Sequence, residues 1–163
     1  ISGDHTDGVL ARLKEIIHYK PKAVFLLIGV NDLFEDNRNK PERTPEYIAK
    51  NILLICKEIK NGSKNTQIFI QTILPINNEQ YLSKKPNIEF LFDNYSPSIN
   101  EQIDKVNKII KSDLSLNVID LYSAFLNENL KLNTKFSTDG VHLNGLGYQN
   151  WIDIINPILK EIK

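Results

Sequence analysis

Ala23-Val24-Phe25-Leu26-Leu27-Ile28 is an unbroken apolar run with no polar residue inside it. A strand with one wet face alternates polar and apolar side chains, whereas a strand covered on both faces does not. The second pattern belongs to parallel sheets sandwiched by helices. Both flanks of the run carry helical spacing. On the amino side Val9, Leu10, Leu13, Ile16 and Ile17 recur from Thr6 onward and Pro21 closes the segment, which predicts an amphipathic helix of about three turns. On the carboxyl side Thr44-Pro45-Glu46 is an N-cap followed by proline at the first helical position, and Ile48, Ile52, Ile55 and Ile59 run on to Gly62 as a stop signal.

The alternation continues. Gln67 to Leu74 predicts a second strand ended by Pro75, and the polar stretch from Asn77 to Tyr95 a long loop. Ser96-Pro97 repeats the cap-then-proline device before a helix carrying Ile99, Ile103, Val106, Ile109 and Ile110. Asn117 to Leu121 is a third, short strand. A last helix begins near Leu146 with Tyr148, Trp151, Ile152, Ile155, Ile158 and Leu159 on its apolar side, and Pro157 is expected to kink or split it. The class is therefore α/β, with a parallel sheet, right-handed crossovers and a single domain over residues 1–163. Only three strands are legible, and a chain that opens on a helix leaves its first strand with an uncovered edge. One further βαβ-sized unit, on the order of 30 residues, is expected ahead of Ile1; otherwise the open edge could pair with a second copy.

Composition narrows the function classes. The 163 residues are 41% hydrophobic and 25% charged with 20 basic against 20 acidic side chains, which excludes disordered, collagen-like and disulfide-stapled classes. No apolar run approaches the ~20 residues of a spanning helix. Zero net charge offers no footprint for nucleic acid or anionic lipid, so a small neutral substrate fits better. The chain has no Met and begins at Ile1, and its first eight residues lack the apolar core of a signal peptide, so the compartment stays open. The single Cys56 lies beside Ile52, Ile55 and Ile59 in the helical pattern and is expected to be a small buried thiol.

Ligand sites in open parallel sheets lie beyond the carboxyl ends of the strands. The first strand runs into Gly29-Val30-Asn31-Asp32, where an Asn amide could donate to a developing oxyanion or could cap the strand end as an Asx-turn. Ser137-Thr138-Asp139-Gly140-Val141-His142-Leu143-Asn144 places a carboxylate three residues before an imidazole. A carboxylate that holds Nδ1–H leaves Nε2 free to take a proton from a hydroxyl nucleophile, which is the base half of a Ser-His-Asp triad; the other reading is a turn capped by Asp139. The opening Ile1-Ser2-Gly3-Asp4-His5-Thr6-Asp7-Gly8 precedes a helix, where backbone N–H groups can receive an anion, or where Asp4 or Thr6 simply caps the helix. It lacks Gly-x-Gly-x-x-Gly and Gly-Lys-Ser/Thr, so it is no phosphate loop. His5 and His18 form no His-x-x-x-His pair and there is one cysteine, so no metal is expected.

Taken in order, Ile1-Ser2-Gly3-Asp4, Gly29-Val30-Asn31-Asp32 and Asp139-Gly140-Val141-His142 resemble the second, third and fifth blocks of the SGNH, or GDSL, hydrolase family. The likeness extends to Ile73-Leu74-Pro75-Ile76-Asn77, to Ile119-Asp120-Leu121-Tyr122, and to His142-Leu143-Asn144 leading into Gly147-Tyr148 and Trp151, so it covers nearly the whole chain. The resemblance implies a flavodoxin-like three-layer α/β/α fold, here without its N-terminal strands. It also implies hydrolysis of a small-molecule ester or thioester through an acyl-serine intermediate, without a cofactor. By position, Gly3 would give a backbone N–H and Asn31 a side-chain N–H to the oxyanion hole. His142 would be general base and then general acid, and Asp139 would orient it.

One block departs from the family pattern: its Gly-Asp-Ser, with the nucleophile, is not among the 163 residues. Ser2 sits inside the second block, and Ser63, Ser83, Ser96 and Ser137 lack a strand-to-helix elbow. The nucleophile is expected upstream of Ile1. Two products fit this pattern: a longer esterase, or a catalytically inactive fragment or binding module of the same fold. Tyr81, Phe90, Phe92 and Tyr95 in the long loop could wall the substrate pocket or merely cover the surface. Short-acyl esters such as O-acetyl groups on sugars are the expected substrates, with lysophospholipids and acyl thioesters as alternatives.

Overall fold

The computed structural model describes residues 1–34, 43–84 and 97–162. Its elements are α1 (Thr6–Ala11), α2 (Leu13–Tyr19), β1 (Ala23–Leu26), α3 (Val30–Phe34), α4 (Pro45–Gly62), β2 (Gln67–Gln71), α5 (Asn78–Lys84), α6 (Ile99–Ser112), β3 (Asn117–Ile119), α7 (Leu121–Phe125) and α8 (Gly145–Glu161), with a 3-10 turn at Thr134–Phe136. The strands form one parallel sheet in the order β1-β2-β3. Mixed α/β with a parallel sheet is thus the class that the apolar run at Ala23 foretold, although within β1, an edge strand, only Leu26 is buried and the following Leu27 is exposed. Each parallel step needs a crossover, and α4 and α6 supply them. Phe25 faces Phe69 across β1 and β2, and their rings stack with centroids 4.9 Å apart.

The chain packs as two compact units, Ile1–Ile73 with Gln102–Ile119, and Leu74–Glu101 with Asp120–Lys163. The first holds the sheet. There α1 and α2 both pack on α4, whose Ile48, Ile52, Ile55 and Ile59 are buried. Thr44 caps α4 by accepting the Tyr47 N–H at 3.2 Å, with Pro45 as first helical residue. Cys56 is a buried thiol, as its neighbours implied, and burial pushes its pKa up to about 12. Just past β2, Asn107 answers both backbone groups of Ile73, accepting its N–H at 2.8 Å and donating to its C=O at 2.9 Å. That double bond satisfies a buried peptide which no strand pairs. In the second unit Asn100 does the same for Ile76, at 2.9 Å each way. Its core gathers Ile76, Ile99, Leu121, Leu132, Ile155 and the ring pair Phe125–Phe136 at 5.0 Å.

Several sequence expectations need correction. The opening helix is two pieces, because Arg12 leaves helical geometry and its guanidinium turns back to the Gly8 carbonyl at 2.9 Å. The expected loop from Asn77 begins with helix α5, capped by the Asn77 side chain, which accepts the Gln80 N–H at 3.1 Å. Phe90, Phe92, Tyr95 and Ser96 lie outside the described residues. The cap of α6 is Ser98, which forms a capping box with Glu101: Ser98 Oγ accepts the Glu101 N–H at 3.3 Å and Glu101 accepts the Ser98 N–H at 2.6 Å. Pro157 does not split α8, which runs unbroken from Gly145 to Glu161. The one carbonyl it leaves without a helical donor is that of Asp153, on an exposed residue where water can replace the bond. Of the apolar side chains of α8 only Ile155 is buried, and Tyr148, Ile152 and Leu159 are exposed. Among the described residues no helix is long and apolar enough to cross a membrane.

Candidate active site

Three of the sequence motifs fall on two turns and the short helix α3, and they are divided between the two units. In the first unit, β1 leads into the single turn of α3, which carries Asn31 and Asp32. Asn31 Nδ2 donates to the Asp4 carbonyl at 2.9 Å. A primary amide has two N–H groups, so that bond uses one of them. Gly3 holds a left-handed φ of +73°, a conformation glycine reaches without steric cost. The Asp4 carboxylate pairs with Arg12, whose hydrogen bond holds the Asp4 carboxyl below the usual range. Asp4 is therefore fixed through both its carbonyl and its side chain.

Behind this turn lies a buried polar network. Asp32, with 0% exposure, accepts the Thr6 hydroxyl at 2.7 Å and the Thr6 N–H at 3.1 Å. Asn51 of α4 donates to Thr6 Oγ1 at 3.0 Å and to Asp7 at 3.2 Å, and Tyr47 donates to Asp7 at 2.7 Å. Burial raises the Asp32 pKa, and the Thr6 bonds offset part of that rise. Neither Asp4 nor Thr6 acts as a plain helix cap: the cap position of α1 is His5, with no side-chain capping bond.

In the second unit, Asp139 both caps its turn and reaches the imidazole, because its two oxygens do different work. Oδ1 accepts the N–H of Val141 at 2.9 Å and of His142 at 2.8 Å, a capped turn; Oδ2 meets His142 Nδ1 at 2.7 Å. Burial alone would raise the Asp139 carboxyl, but the His142 ring and these two N–H donors outweigh it and bring the pKa down to about 2. The imidazole is 73% exposed. With Nδ1 held by a carboxylate, its accessible nitrogen is Nε2, the arrangement a general base needs.

The turn is braced from beneath. Ser137, 2% exposed, donates to the His142 carbonyl at 2.7 Å and accepts the Gly140 N–H at 2.8 Å. Gly140 has φ of +85°, its carbonyl accepts the Asn77 N–H at 2.7 Å, and a Cβ there would sit 2.2 Å from the Asn77 oxygen. Gln80 of α5 donates to the Ser137 carbonyl at 3.0 Å. Asn144 caps α8 by accepting the Gly147 N–H at 3.0 Å and donates to the Lys135 carbonyl at 3.0 Å.

The structure thus brings Asp139 to His142 and Asn31 to the Gly3-Asp4 turn, and each pair stands within its own unit. Sequence reasoning missed Thr6, Asn51 and Asp32 as a network, and Ser137, Asn77 and Gln80 as braces. Asn77 had a signal, an Asn at cap spacing from Gln80. The bonds of Thr6 to residues 26 and 45 positions away had none.

Comparison with known proteins gives these motifs a family. The model of the GDSL-like lipase/acylhydrolase family matches residues 1–149. No curated protein sequence matches the chain. Among solved structures, a lipase/acylhydrolase from Enterococcus faecalis is 25% identical with a TM-score of 0.70, over 99% of this chain and 73% of its own. A GDSL-like lipase from Bacteroides thetaiotaomicron is 22% identical with a TM-score of 0.76, over 99% and 73%. A catalytic mutant of an acetylxylan esterase from Geobacillus stearothermophilus, serine replaced by alanine, is 24% identical with a TM-score of 0.65, over 99% and 69%. The α/β fold with its parallel sheet is the fold of these neighbours. Matched over residues 1–149, the chain belongs to the GDSL-like lipase/acylhydrolase family and, with it, to the hydrolases.

Proposed function

We propose that the protein is a serine esterase that removes short acyl groups, O-acetyl groups on carbohydrate above all, through an acyl-serine intermediate. The observation that carries the reading is the 2.7 Å contact between Asp139 Oδ2 and His142 Nδ1 beneath an exposed imidazole. Nε2 takes the proton of a serine hydroxyl as its oxygen bonds the acyl carbon, and the carbonyl oxygen becomes an oxyanion. The Gly3 backbone N–H and the second N–H of the Asn31 amide stabilise that charge. Collapse breaks the bond to the alcohol, which leaves with the proton from Nε2. Water then repeats the cycle on the acyl-serine, releasing the acid. The nucleophile in this scheme is the serine of the family's Gly-Asp-Ser block, which the 163 residues do not contain. Support for the acetyl preference is the acetylxylan esterase among the structural neighbours.

The test is the intact mass of the whole gene product before and after a fluorophosphonate, which bonds only an activated serine. A single adduct, lost in His142→Ala, supports the serine mechanism. No adduct would mean that catalysis by serine is wrong and that a binding role for the fold takes its place. A series of p-nitrophenyl esters then ranks acyl length: acetate fastest supports the short-acyl reading, and a long-chain optimum favours a lysophospholipase or thioesterase.

A further inference from the structure

We propose that Thr6 and Asp32 are a positioning pair that sets the spacing of the two oxyanion donors, the Gly3 N–H and the Asn31 side chain. The inference rests on the esterase reading above and adds to it a residue pair that touches no substrate. Asp32 follows Asn31 directly, and Thr6 lies three residues after Gly3. Thr6 grips the carboxylate at two points, its hydroxyl on Oδ1 at 2.7 Å and its backbone N–H on Oδ2 at 3.1 Å. A two-point bond fixes orientation as well as distance. The Asn31 bond to the Asp4 carbonyl, 2.9 Å, is a second strut between the same two loops. Together they leave the loops little freedom to slide.

The direction of the hydroxyl is also determined. Thr6 Oγ1 accepts from Asn51 Nδ2 at 3.0 Å, so its own proton must point elsewhere, and the Asp32 carboxylate lies in its path. All three side chains are buried: Thr6 and Asp32 at 0% and Asn51 at 6% exposure. Apolar side chains of the same volume would fill this space with less desolvation penalty. They would not impose a distance, and a distance is what an oxyanion hole needs, because its donors act only when aimed within a few tenths of an ångström of the developing charge.

The experiment uses the full-length protein, measuring kcat and KM on p-nitrophenyl acetate together with Tm. Thr6→Val keeps the shape and removes the hydroxyl. It should lower kcat roughly 10–100-fold and leave KM within about twofold, since donors that act in the transition state affect kcat alone. Thr6→Ser restores the hydroxyl and should return kcat to within about threefold of the parent. A lower Tm with unchanged kcat in Thr6→Val would make the pair a structural tie and overturn the proposal. If Thr6→Val does not fold, Asn51→Ala carries the test, because it removes the bond that turns the hydroxyl toward Asp32. There a kcat loss of about 3–10-fold supports the proposal and an unchanged kcat overturns it. A parent that hydrolyses no ester and takes no fluorophosphonate overturns the esterase reading, and this one with it. An active parent with unaffected variants overturns the positioning pair alone.

Discussion

Behind Asn31, the side chains of Thr6, Asp32 and Asn51 are buried and their bonds join residues 26 to 45 positions apart, from Thr6 to Asp32 and from Asn51 to Thr6. Around His142 the bonds made by the Asp139 and Ser137 side chains join residues two to five positions apart, Asn77 and Gln80 brace the turn from beneath, and the ring stands 73% exposed. The first turn takes its shape from the core behind it, and the second mainly from its own short-range bonds with α5 as a brace. A base must reach out and accept a proton, so a locally bonded turn with an exposed ring serves it. Oxyanion donors must hold still while charge develops, so a buried frame serves them. The proposed mechanism asks for both plans.

The strongest way to break this division of labour is to remove the base. In the whole gene product His142→Ala should lower kcat by roughly 10⁴-fold or more while the fold survives, because an exposed ring contributes little packing. Retention of activity would show that the exposed imidazole is ornamental. Asn31→Ala comes next, with an expected loss of ~10²–10³ in kcat for one oxyanion donor. Parental kcat on p-nitrophenyl acetate would remove Asn31 from the hole.

One substitution, made in each half, sharpens the contrast further. Gly3 and Gly140 both have positive φ, +73° and +85°. An added Cβ at Gly3 meets nothing within 4 Å, whereas at Gly140 it meets the Asn77 oxygen at 2.2 Å and the Tyr81 nitrogen at 2.9 Å, both backbone atoms. Gly3→Ala carries only the left-handed strain of about 1–2 kcal/mol. Gly140→Ala adds overlap that cannot relax by a rotamer change, for about 2–4 kcal/mol in all. Urea unfolding of the two variants orders them; equal losses would mean that α5 yields and does not brace the Asp139–His142 turn.

The same contrast explains what could be read from sequence. The parallel α/β class followed from the apolar run at Ala23, and α4 from Thr44-Pro45 and its isoleucines, because burial and capping leave periodic local marks. The Asp139–His142 pair was legible for the same reason, an i,i+3 spacing that a single turn closes. The braces were not. Thr6 looked like a cap because a threonine before a helix usually is one, and only the tertiary structure turns its hydroxyl to Asp32. Helix α5 was hidden by its polar composition, and the break at Arg12 by an apolar pattern that continues through it.

The smallest effect expected is a pH signature of opposite sign in the two halves. Asp139 has its pKa lowered from 3.8 to about 2. Its bonds therefore add stability that is fully present above about pH 4 and is lost as pH falls toward 2. Asp32 has its pKa raised above 3.8 by burial. Its contribution is fully present below about pH 4 and is lost as pH rises through the folded-state pKa. Asparagine at either position does not titrate, so the stability gap between parent and variant isolates each group. The gap for Asp139→Asn should shrink as pH falls below about 4, and the gap for Asp32→Asn should grow as pH falls from neutrality toward about 4. Urea unfolding across that range measures both. Gaps that move in the same direction would mean that Asp32 is not held by burial, and the contrast between a buried frame and an exposed turn would fail at its electrostatic root.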